Sequence, residues 1–200
     1  MSLYFIRHGE SEANVRHVIS NRESSFHLTS VGKQQTEALA DHLRDIEFDA
    51  FFCSPVLRAR ETAEILSSVL GLIHQVTEAL REYDCGILEE HSDEESWNRH
   101  RYYFDQWTLH RNHASKPEGG ENFLEIKNRF LPFILSLQDL EYRNVLLLGH
   151  GGLSILMLPL LLPNVSHEFA CERGIGHTEC IIAESAVNGF VCKQWGDVQF

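Results

Sequence analysis

Two histidines follow apolar, strand-like segments of the chain. His8 comes after the apolar run 2–6 and His150 after the run 145–148, and each is followed directly by glycine. Imidazoles at the carboxyl ends of two buried strands are expected to face each other across one pocket. A neutral imidazole can attack phosphorus, and Arg7 beside the first histidine indicates an anionic ligand. The pattern predicts phosphoryl transfer through a histidine.

Two arginines are the candidate anion-binding groups. Arg7 would lower the pKa of His8 by like-charge repulsion and so keep one ring nitrogen unprotonated. Arg58 lies just inside a predicted helix, where free backbone N–H groups and the positive end of the helix dipole suit a phosphate. Its guanidinium can bind two phosphate oxygens at once. The alternative for Arg58 is a surface ion pair with Glu61 or Glu64.

A proton donor and further charge-stabilising groups complete the expected reaction. A departing alcohol needs a proton, and a carboxylic acid beside a phosphate dianion has a raised pKa. Glu82, after the third predicted strand, is the candidate acid, and Asp84 is the alternative. His150 can donate to the phosphoryl oxygens during transfer. In the loop after the first strand, Asn14 and Ser20 are candidate neutral donors to phosphate.

We expect neither a metal nor a cofactor at this site. The sequence has no His-Glu-x-x-His motif and no nearby carboxylate ligand pattern, and an arginine beside a cation site is unfavourable. Ten further histidines stand in mostly polar or helical contexts and are not assigned to the site: 17, 27, 42, 74, 91, 100, 110, 113, 167 and 177.

Composition excludes several classes of protein. The 200 residues, 43% apolar and 23% charged, fit one globular domain, which we assign to residues 1–200. The five cysteines lack C-x-x-C spacing, so reduced thiols are expected. A net charge of −12 argues against a nucleic-acid or anionic membrane surface. With no membrane-length apolar run and no secretory signal pattern, we expect a cytoplasmic protein. The sequence does not indicate an oligomeric state.

Apolar strand patterns alternate with helical patterns along the chain. Strands are predicted near 2–7, 49–53, 73–77, 144–149, 178–184 and 189–195, and helices near 30–46, 55–70, 93–108, 121–138 and 151–161. This order predicts an α/β protein with a mainly parallel sheet covered on both faces. The last two strands, joined around Asn188, predict a hairpin and one antiparallel edge strand. Thr29 and Ser54 are predicted helix N-caps, with Pro55 as the first helical residue. Gly9 is predicted to allow a sharp turn after His8.

Six segments resemble, in order, the signatures of the histidine phosphatase superfamily, the group that includes cofactor-dependent phosphoglycerate mutase. They are 7–14 (RHGESEAN), 28–32 (LTSVG), 54–63 (SPVLRARETA), 80–86 (LREYDCG), 117–122 (PEGGEN) and 149–152 (GHGG). The resemblance implies a three-layer α/β/α, phosphoglycerate mutase-like fold and a phosphohistidine intermediate on His8, without a metal.

The resemblance also implies roles for individual residues. The phosphoryl group would be held by Arg7, Arg58 and His150, and Glu82 would be the acid. Further substrate contacts would come from Asn14, Ser20, Asn21 and the backbone N–H of Gly151. Asn21 stands where a glycine is common, and Glu89-Glu90-His91 lacks the common Trp-Glu-Gly, so the substrate is left open.

We expect a phosphatase that hydrolyses a small phosphorylated metabolite, with a phosphoprotein as an alternative substrate. The second reading is a phosphoglycerate mutase-type transfer, in which the phosphoryl group returns to another hydroxyl. The third is a non-catalytic module that binds a phosphorylated ligand. The family's mutases enclose the site with inserted structure, whereas this chain offers only the segment 84–118 as a lid. The shorter chain favours hydrolysis.

Overall fold

The central element of the protein is a twisted sheet. The computed structural model describes residues 1–22, 25–187 and 189–200. In these ranges the strands are β1 (Ser2–Arg7), β2 (Ala50–Cys53), β3 (His74–Val76), β4 (Asn144–Gly149), β5 (Cys180–Ala186), β6 (Gly189–Trp195) and β7 (Val198–Gln199). Their order in the sheet is β3-β2-β4-β1-β5-β6-β7. The first four of these are mutually parallel, and β5, β6 and β7 continue as an antiparallel edge.

Helices fill the connections between strands. They are α1 (Glu12–Val15), α2 (Ser30–Leu43), α3 (Leu57–Leu70), α4 (Glu94–Thr108), α5 (Phe123–Ser136), α6 (Gly151–Leu161) and α7 (His167–Arg173), with 3₁₀ turns at Glu78–Leu80, Gly86–Leu88 and Leu137–Asp139. In the ranges that the structure describes, no helix combines the length and the apolar character needed to cross a membrane.

Alternate side chains of the sheet point to opposite layers. On β1, Phe5 packs against Phe130 of α5, with ring centroids 6.3 Å apart, in the core that also contains α6 and α7. Ile6 lies in the opposite core, with residues of α2 and α3 such as Leu43 and Leu66. Because successive strand residues face opposite sides, both faces of the sheet are buried. The predicted three-layer α/β/α fold, with a mainly parallel sheet and an antiparallel edge, is confirmed.

The sheet order brings the two histidine-bearing segments together. Arg7 at the end of β1 pairs in register with Gly149 at the end of β4, and the N–H of His8 donates to the Gly149 carbonyl at 3.1 Å. On the other side of β4, the N–H of Ser54 donates to Leu148 at 2.9 Å. The carboxyl ends of β1, β4 and β2 therefore deliver three polar side chains to one edge.

Local predictions had mixed outcomes. Thr29 caps α2 as expected, since its Oγ1 accepts from the N–H of Gly32 at 3.0 Å. The predicted cap at Ser54 and helical start at Pro55 are wrong, because α3 begins at Leu57 after an N-cap at Val56. The Ser54 hydroxyl is instead turned toward the site described below. The helices α1 and α7 and the strand β7 were not predicted, because each is too short to show a periodic pattern.

Two further expectations concern glycine and the last hairpin. Gly9 does not have a positive φ, so no left-handed backbone conformation requires glycine there. A Cβ on Gly9 would lie 2.5 Å from the carbonyl oxygen of Gly32, so glycine permits the close approach of α2.

Strands β5 and β6 form the expected antiparallel pair, with Ala186 opposite Gly189. The predicted turn residue Asn188 lies outside the described residues.

Candidate active site

A cavity of about 300 Å³ opens beyond the ends of β1 and β4. Eight of the nine predicted site residues line it: Arg7, His8, Asn14, Ser20, Asn21, Arg58, Glu82 and Gly151. The ninth, His150, is fully buried and does not line the cavity, and its ring centroid lies 5.1 Å from that of His8. The structure thus brings together every residue that the sequence nominated.

Hydrogen bonding defines the protonation state of His8. Its Nδ1 lies 2.7 Å from the carbonyl oxygen of Gly9, and because a carbonyl only accepts, Nδ1 carries the proton. Nε2 accepts from Nε of Arg58 at 2.8 Å, so Nε2 carries no proton. Burial, and then the charge of Arg58, hold the pKa of His8 well below 6.5. The ring is therefore neutral at neutral pH, with Nε2 as its unprotonated nitrogen.

His150 is held as the opposite kind of neutral tautomer. Nη2 of Arg58 lies 3.2 Å from Nδ1 of His150, and a guanidinium only donates. The proton of His150 is therefore on Nε2, which donates to Oγ of Ser54 at 2.7 Å. Burial, and then Arg58 and Arg7, hold the pKa of His150 well below 6.5. A phosphate dianion nearby would raise that pKa and favour a second proton on Nδ1.

Arg58 joins the two imidazoles to the loop after β1. It is the second residue of α3, and its Nη1 donates to the backbone carbonyl of Ser20. Burial lowers the pKa of Arg58 to about 10, which leaves it charged at neutral pH. The alternative of a surface ion pair with Glu61 or Glu64 is wrong, because the side chain is buried and contacts neither carboxylate.

Arg7 is fixed on the other side of His8. Its Nη1 donates to the carbonyl of Ile175 at 2.7 Å, and its Nη2 lies 3.0 Å from Nε2 of His177. The Nε atom of Arg7 is buried and has no hydrogen-bond partner among the described residues, and the same holds for Oγ of Ser20. Buried polar groups are rarely left unpaired, so both atoms are ready to bind an oxygen of a ligand.

Glu82 reaches the cavity from the segment after a 3₁₀ turn. Its Oε1 accepts from the N–H of Tyr83 at 3.1 Å and its Oε2 from the N–H of Gly152 at 2.9 Å. Burial raises the pKa of Glu82, although these N–H groups and Arg58 favour the carboxylate and oppose the rise. Asp84, the alternative acid, instead forms an ion pair with Arg22 at 2.9 Å.

Asn14 and Asn21 are anchored beside the cavity. Oδ1 of Asn14 accepts from the N–H and the hydroxyl of Ser11 at 3.0 and 2.8 Å, which leaves its amide N–H₂ to face the cavity. The amide of Asn21 donates to Sγ of Cys85 at 3.1 Å, and its backbone N–H donates to Glu89 at 2.8 Å. These contacts fix the loop that carries Ser20.

Several residues at the site were not found from the sequence. Histidines 100 and 177 were set aside, yet His100 lines the cavity and His177 contacts Arg7. The N–H of Gly152 donates to the Glu82 carboxylate, and Arg129 of α5 donates to the Glu82 carbonyl at 3.3 Å. No short-range pattern marks them, because their partners lie far away in the chain. Among the residues that the structure describes, no three His, Cys, Asp or Glu side chains are grouped as metal ligands.

The fold is that of phosphoglycerate mutase-like histidine phosphatases. The chain belongs to the histidine phosphatase superfamily (branch 1), whose family model matches residues 3–198. The expected family is therefore confirmed. Members of the superfamily are phosphatases or mutases, so the match indicates an enzyme.

Three similar proteins illustrate this range. The chain is 30% identical over 163 residues to an adenosylcobalamin/alpha-ribazole phosphatase of Escherichia coli (strain K12), covering 81% of this chain and 79% of the relative. It is 27% identical over 209 aligned positions to a probable phosphoglycerate mutase of Salmonella choleraesuis (strain SC-B67), covering 99% and 94%. The crystal structure of the alpha-ribazole phosphatase from Shigella flexneri superimposes with a TM-score of 0.82 at 26% identity, covering 98% and 96%.

Proposed function

We propose that the protein is a phosphomonoesterase that works through a phosphohistidine on His8. The observation that carries this proposal is the hydrogen bond from Nδ1 of His8 to Gly9, which leaves Nε2 as the unprotonated nitrogen of a ring that lines the cavity. Arg7 and Arg58 bring to that atom the positive charge and the donors that a transferring phosphoryl group needs, and His150 would become a further donor when a phosphate dianion favours a second proton on its Nδ1.

The first step forms the bond between Nε2 of His8 and phosphorus as the bond from phosphorus to the ester oxygen breaks. On binding, the phosphoryl group would take over the N–H of Arg58 that now contacts Nε2. Nε of Arg7 and the hydroxyl of Ser20, both without protein partners, would bind its other oxygens. Glu82, with its raised pKa, would give its proton to the leaving alcohol.

The second step releases phosphate. The carboxylate of Glu82 would take a proton from water as the water oxygen attacks phosphorus, and the bond from phosphorus to Nε2 of His8 breaks. Inorganic phosphate leaves, and Glu82 is again protonated for the next cycle. The carboxyl group thus acts as acid and then as base, and the enzyme returns to its starting state.

The covering of the site is also part of the proposal. We propose that residues 1–200 form one domain and that the segment 84–118 covers the cavity. The proposed substrate is a small phosphorylated metabolite, and the proposed location of the protein is the cytoplasm. Trp97 and His100, both from this segment, line the cavity. The acidic surface, with a net charge of −12, argues against a nucleic-acid partner.

The decisive experiment traps the intermediate. A radiolabelled phosphate monoester is mixed with the enzyme and quenched in alkali within milliseconds, and labelled phosphate should be bound to protein through an acid-labile N–P bond. His8→Asn should abolish labelling and turnover, while His110→Asn, at an exposed position, is the control. Turnover without any labelled protein would contradict the proposal.

Substrate assays separate the alternatives. Release of phosphate from p-nitrophenyl phosphate without a bisphosphate primer supports the phosphatase. Primer-dependent exchange between phosphoglycerate isomers, without net phosphate release, would replace it with the mutase. Tight binding of phosphate esters with neither reaction would leave the non-catalytic module.

A further inference from the structure

The cavity has two chemically different ends. Arg7, His8 and Arg58 form the inner end, where the phosphoryl group is proposed to bind. Six aromatic or aliphatic side chains also line the cavity, and we call them the outer wall: Val18, Ile19, Tyr83, Trp97, His100 and Ile155. The amides of Asn14 and Asn21 line the cavity beside them. The part of a substrate that leaves as the alcohol must contact this wall.

Most polar atoms of the wall's aromatic side chains already have partners, and Nδ1 of His100 is the exception among the described residues. The Tyr83 hydroxyl and Nε2 of His100 are 2.8 Å apart, and Nε1 of Trp97 donates to the carbonyl of His17 at 2.7 Å. The rings pack on each other, with centroids 5.7 Å apart for Tyr83 and His100 and 5.1 Å apart for Trp97 and His100. The wall therefore presents ring surface. A hydroxyl-rich alcohol would lose its water there without gaining an equal number of hydrogen bonds.

The charge of the cavity suffices for one phosphate. Among the described residues, Arg7 and Arg58 are the only lysine or arginine residues that line it. The residues outside the described ranges, Glu23, Ser24 and Asn188, include no lysine or arginine. Arg22, near the rim, is paired with both carboxylate oxygens of Asp84 at 2.9 Å. Two cations balance a phosphate dianion, so a second phosphate or carboxylate would be desolvated without a partner.

His100 adds no charge to the outer wall. Burial, and then the neighbouring charge of Arg101, lower the pKa of His100 to about 4. The imidazole is therefore neutral at neutral pH and behaves as one more aromatic ring of the wall.

We propose that the substrates of this site are phosphate monoesters whose alcohol carries an aromatic or aliphatic group and no second anionic group. The inference rests on the proposed phosphatase function and assigns the selection of substrate to Tyr83, Trp97 and His100. The cavity of about 300 Å³ lies at the small end of the range for metabolite sites, which suits a small molecule.

A panel of esters with unactivated alkyl leaving groups tests the substrate class. We would compare kcat/KM for 3-phenylpropyl phosphate, ethyl phosphate, glycerol 3-phosphate, phosphoserine and 3-phosphoglycerate. 3-Phenylpropyl phosphate is expected to exceed 3-phosphoglycerate and phosphoserine by at least about tenfold, equivalent to roughly 1.4 kcal/mol. Equal or faster reaction of the two anionic esters would overturn the inference. Absence of phosphate release from every ester would instead count against the phosphatase function itself.

Variants on α4 test the assignment to the wall. Trp97→Ala should lower the ratio of kcat/KM for 3-phenylpropyl phosphate to that for ethyl phosphate by about tenfold, and Trp97→Phe should restore most of it. Tyr102→Ala is the matched control, because Tyr102 is an exposed aromatic residue of the same helix and does not line the cavity. If Trp97→Ala lowers both values equally, Trp97 supports the structure of the site and does not select the substrate.

Discussion

The carboxylate of Glu82 rests on the backbone of Gly152, with Oε2 accepting from its N–H at 2.9 Å. A Cβ on residue 152 would lie 3.0 Å from both carboxylate oxygens and 2.5 Å from Cε1 of Tyr83. Glycine at this position therefore decides where the proposed acid sits. Here the first turn of α6 contacts the segment that follows β3.

This contact predicts the behaviour of Gly152→Ala. The added methyl group should displace Glu82 and lower kcat for an alkyl phosphate about 10²-fold, within the range attributed to acid catalysis, while p-nitrophenyl phosphate loses much less. Nitrophenolate leaves without a proton, so its rate depends little on the acid. Gly149→Ala is the control, because a Cβ there comes no closer than 3.4 Å to a neighbour. Equal losses for the two esters would show that Glu82 is not the acid.

Arg58 should be irreplaceable by lysine. Arg58→Lys keeps a positive charge, but one ammonium cannot contact His8, His150 and the Ser20 carbonyl as the guanidinium does. We expect kcat/KM to fall about 10²- to 10³-fold, the usual loss when one stabilising donor of a transition state is removed. Arg60→Lys, at an exposed position two residues further along α3, should have wild-type kinetics. Activity within a few fold of wild type for Arg58→Lys would contradict the proposed role.

His177 is predicted to position Arg7. Nε2 of His177 must be an acceptor for the guanidinium, and burial, followed by the charge of Arg7, lowers the pKa of His177 to about 4. His177→Ala should weaken binding of inorganic phosphate about tenfold or more, as expected for a hydrogen bond to a charged group. His177→Gln keeps an acceptor and should recover most of the affinity. If alanine and glutamine weaken binding equally, the imidazole has another role.

The stability of the protein should fall as the pH is lowered below about 6.5. His8, His100, His150 and His177 all have pKa values below 6.5 in the folded protein. In the unfolded chain each titrates near 6.5, so below that pH the unfolded state binds more protons and is favoured. Each histidine should contribute at most about 1.4 kcal/mol per pH unit below pH 6.5, down to its folded pKa.

Two carboxyl groups oppose this trend and should reduce it. The pKa values of Glu82 and Glu89 are raised by burial, so between about pH 4.5 and their folded pKa values the native state binds more protons. Urea unfolding at pH 7.5, 6.5 and 5.5 measures the net slope. His177→Gln should reduce it by up to about 1.4 kcal/mol per pH unit, whereas the exposed His110→Gln should not. An unchanged slope in His177→Gln would show that this histidine does not contribute.

The chemistry of the inner site could be predicted because the residues that carry it lie in short, recognisable sequence motifs. His8, Arg58 and His150 each follow a recognisable strand, and parallel neighbouring strands present their carboxyl ends at one edge. The apolar strands separated by helical segments were also sufficient to predict helices on both faces of the sheet. Segments of four to seven residues, such as α1 and α7, were missed because they carry less than two turns of periodicity.

The sequence by itself determined the sheet, the pairing of His8 with His150 and the cations around them, because these depend on local hydrophobic periodicity and motif order. Only the tertiary structure decided which tautomer each histidine adopts, that His177 contacts Arg7 across 170 positions of the chain, and that Trp97 and His100 form the outer wall. Those features arise from side chains that meet through long-range packing. A hydrogen bond or a cavity wall made in this way has no signature in the neighbouring residues.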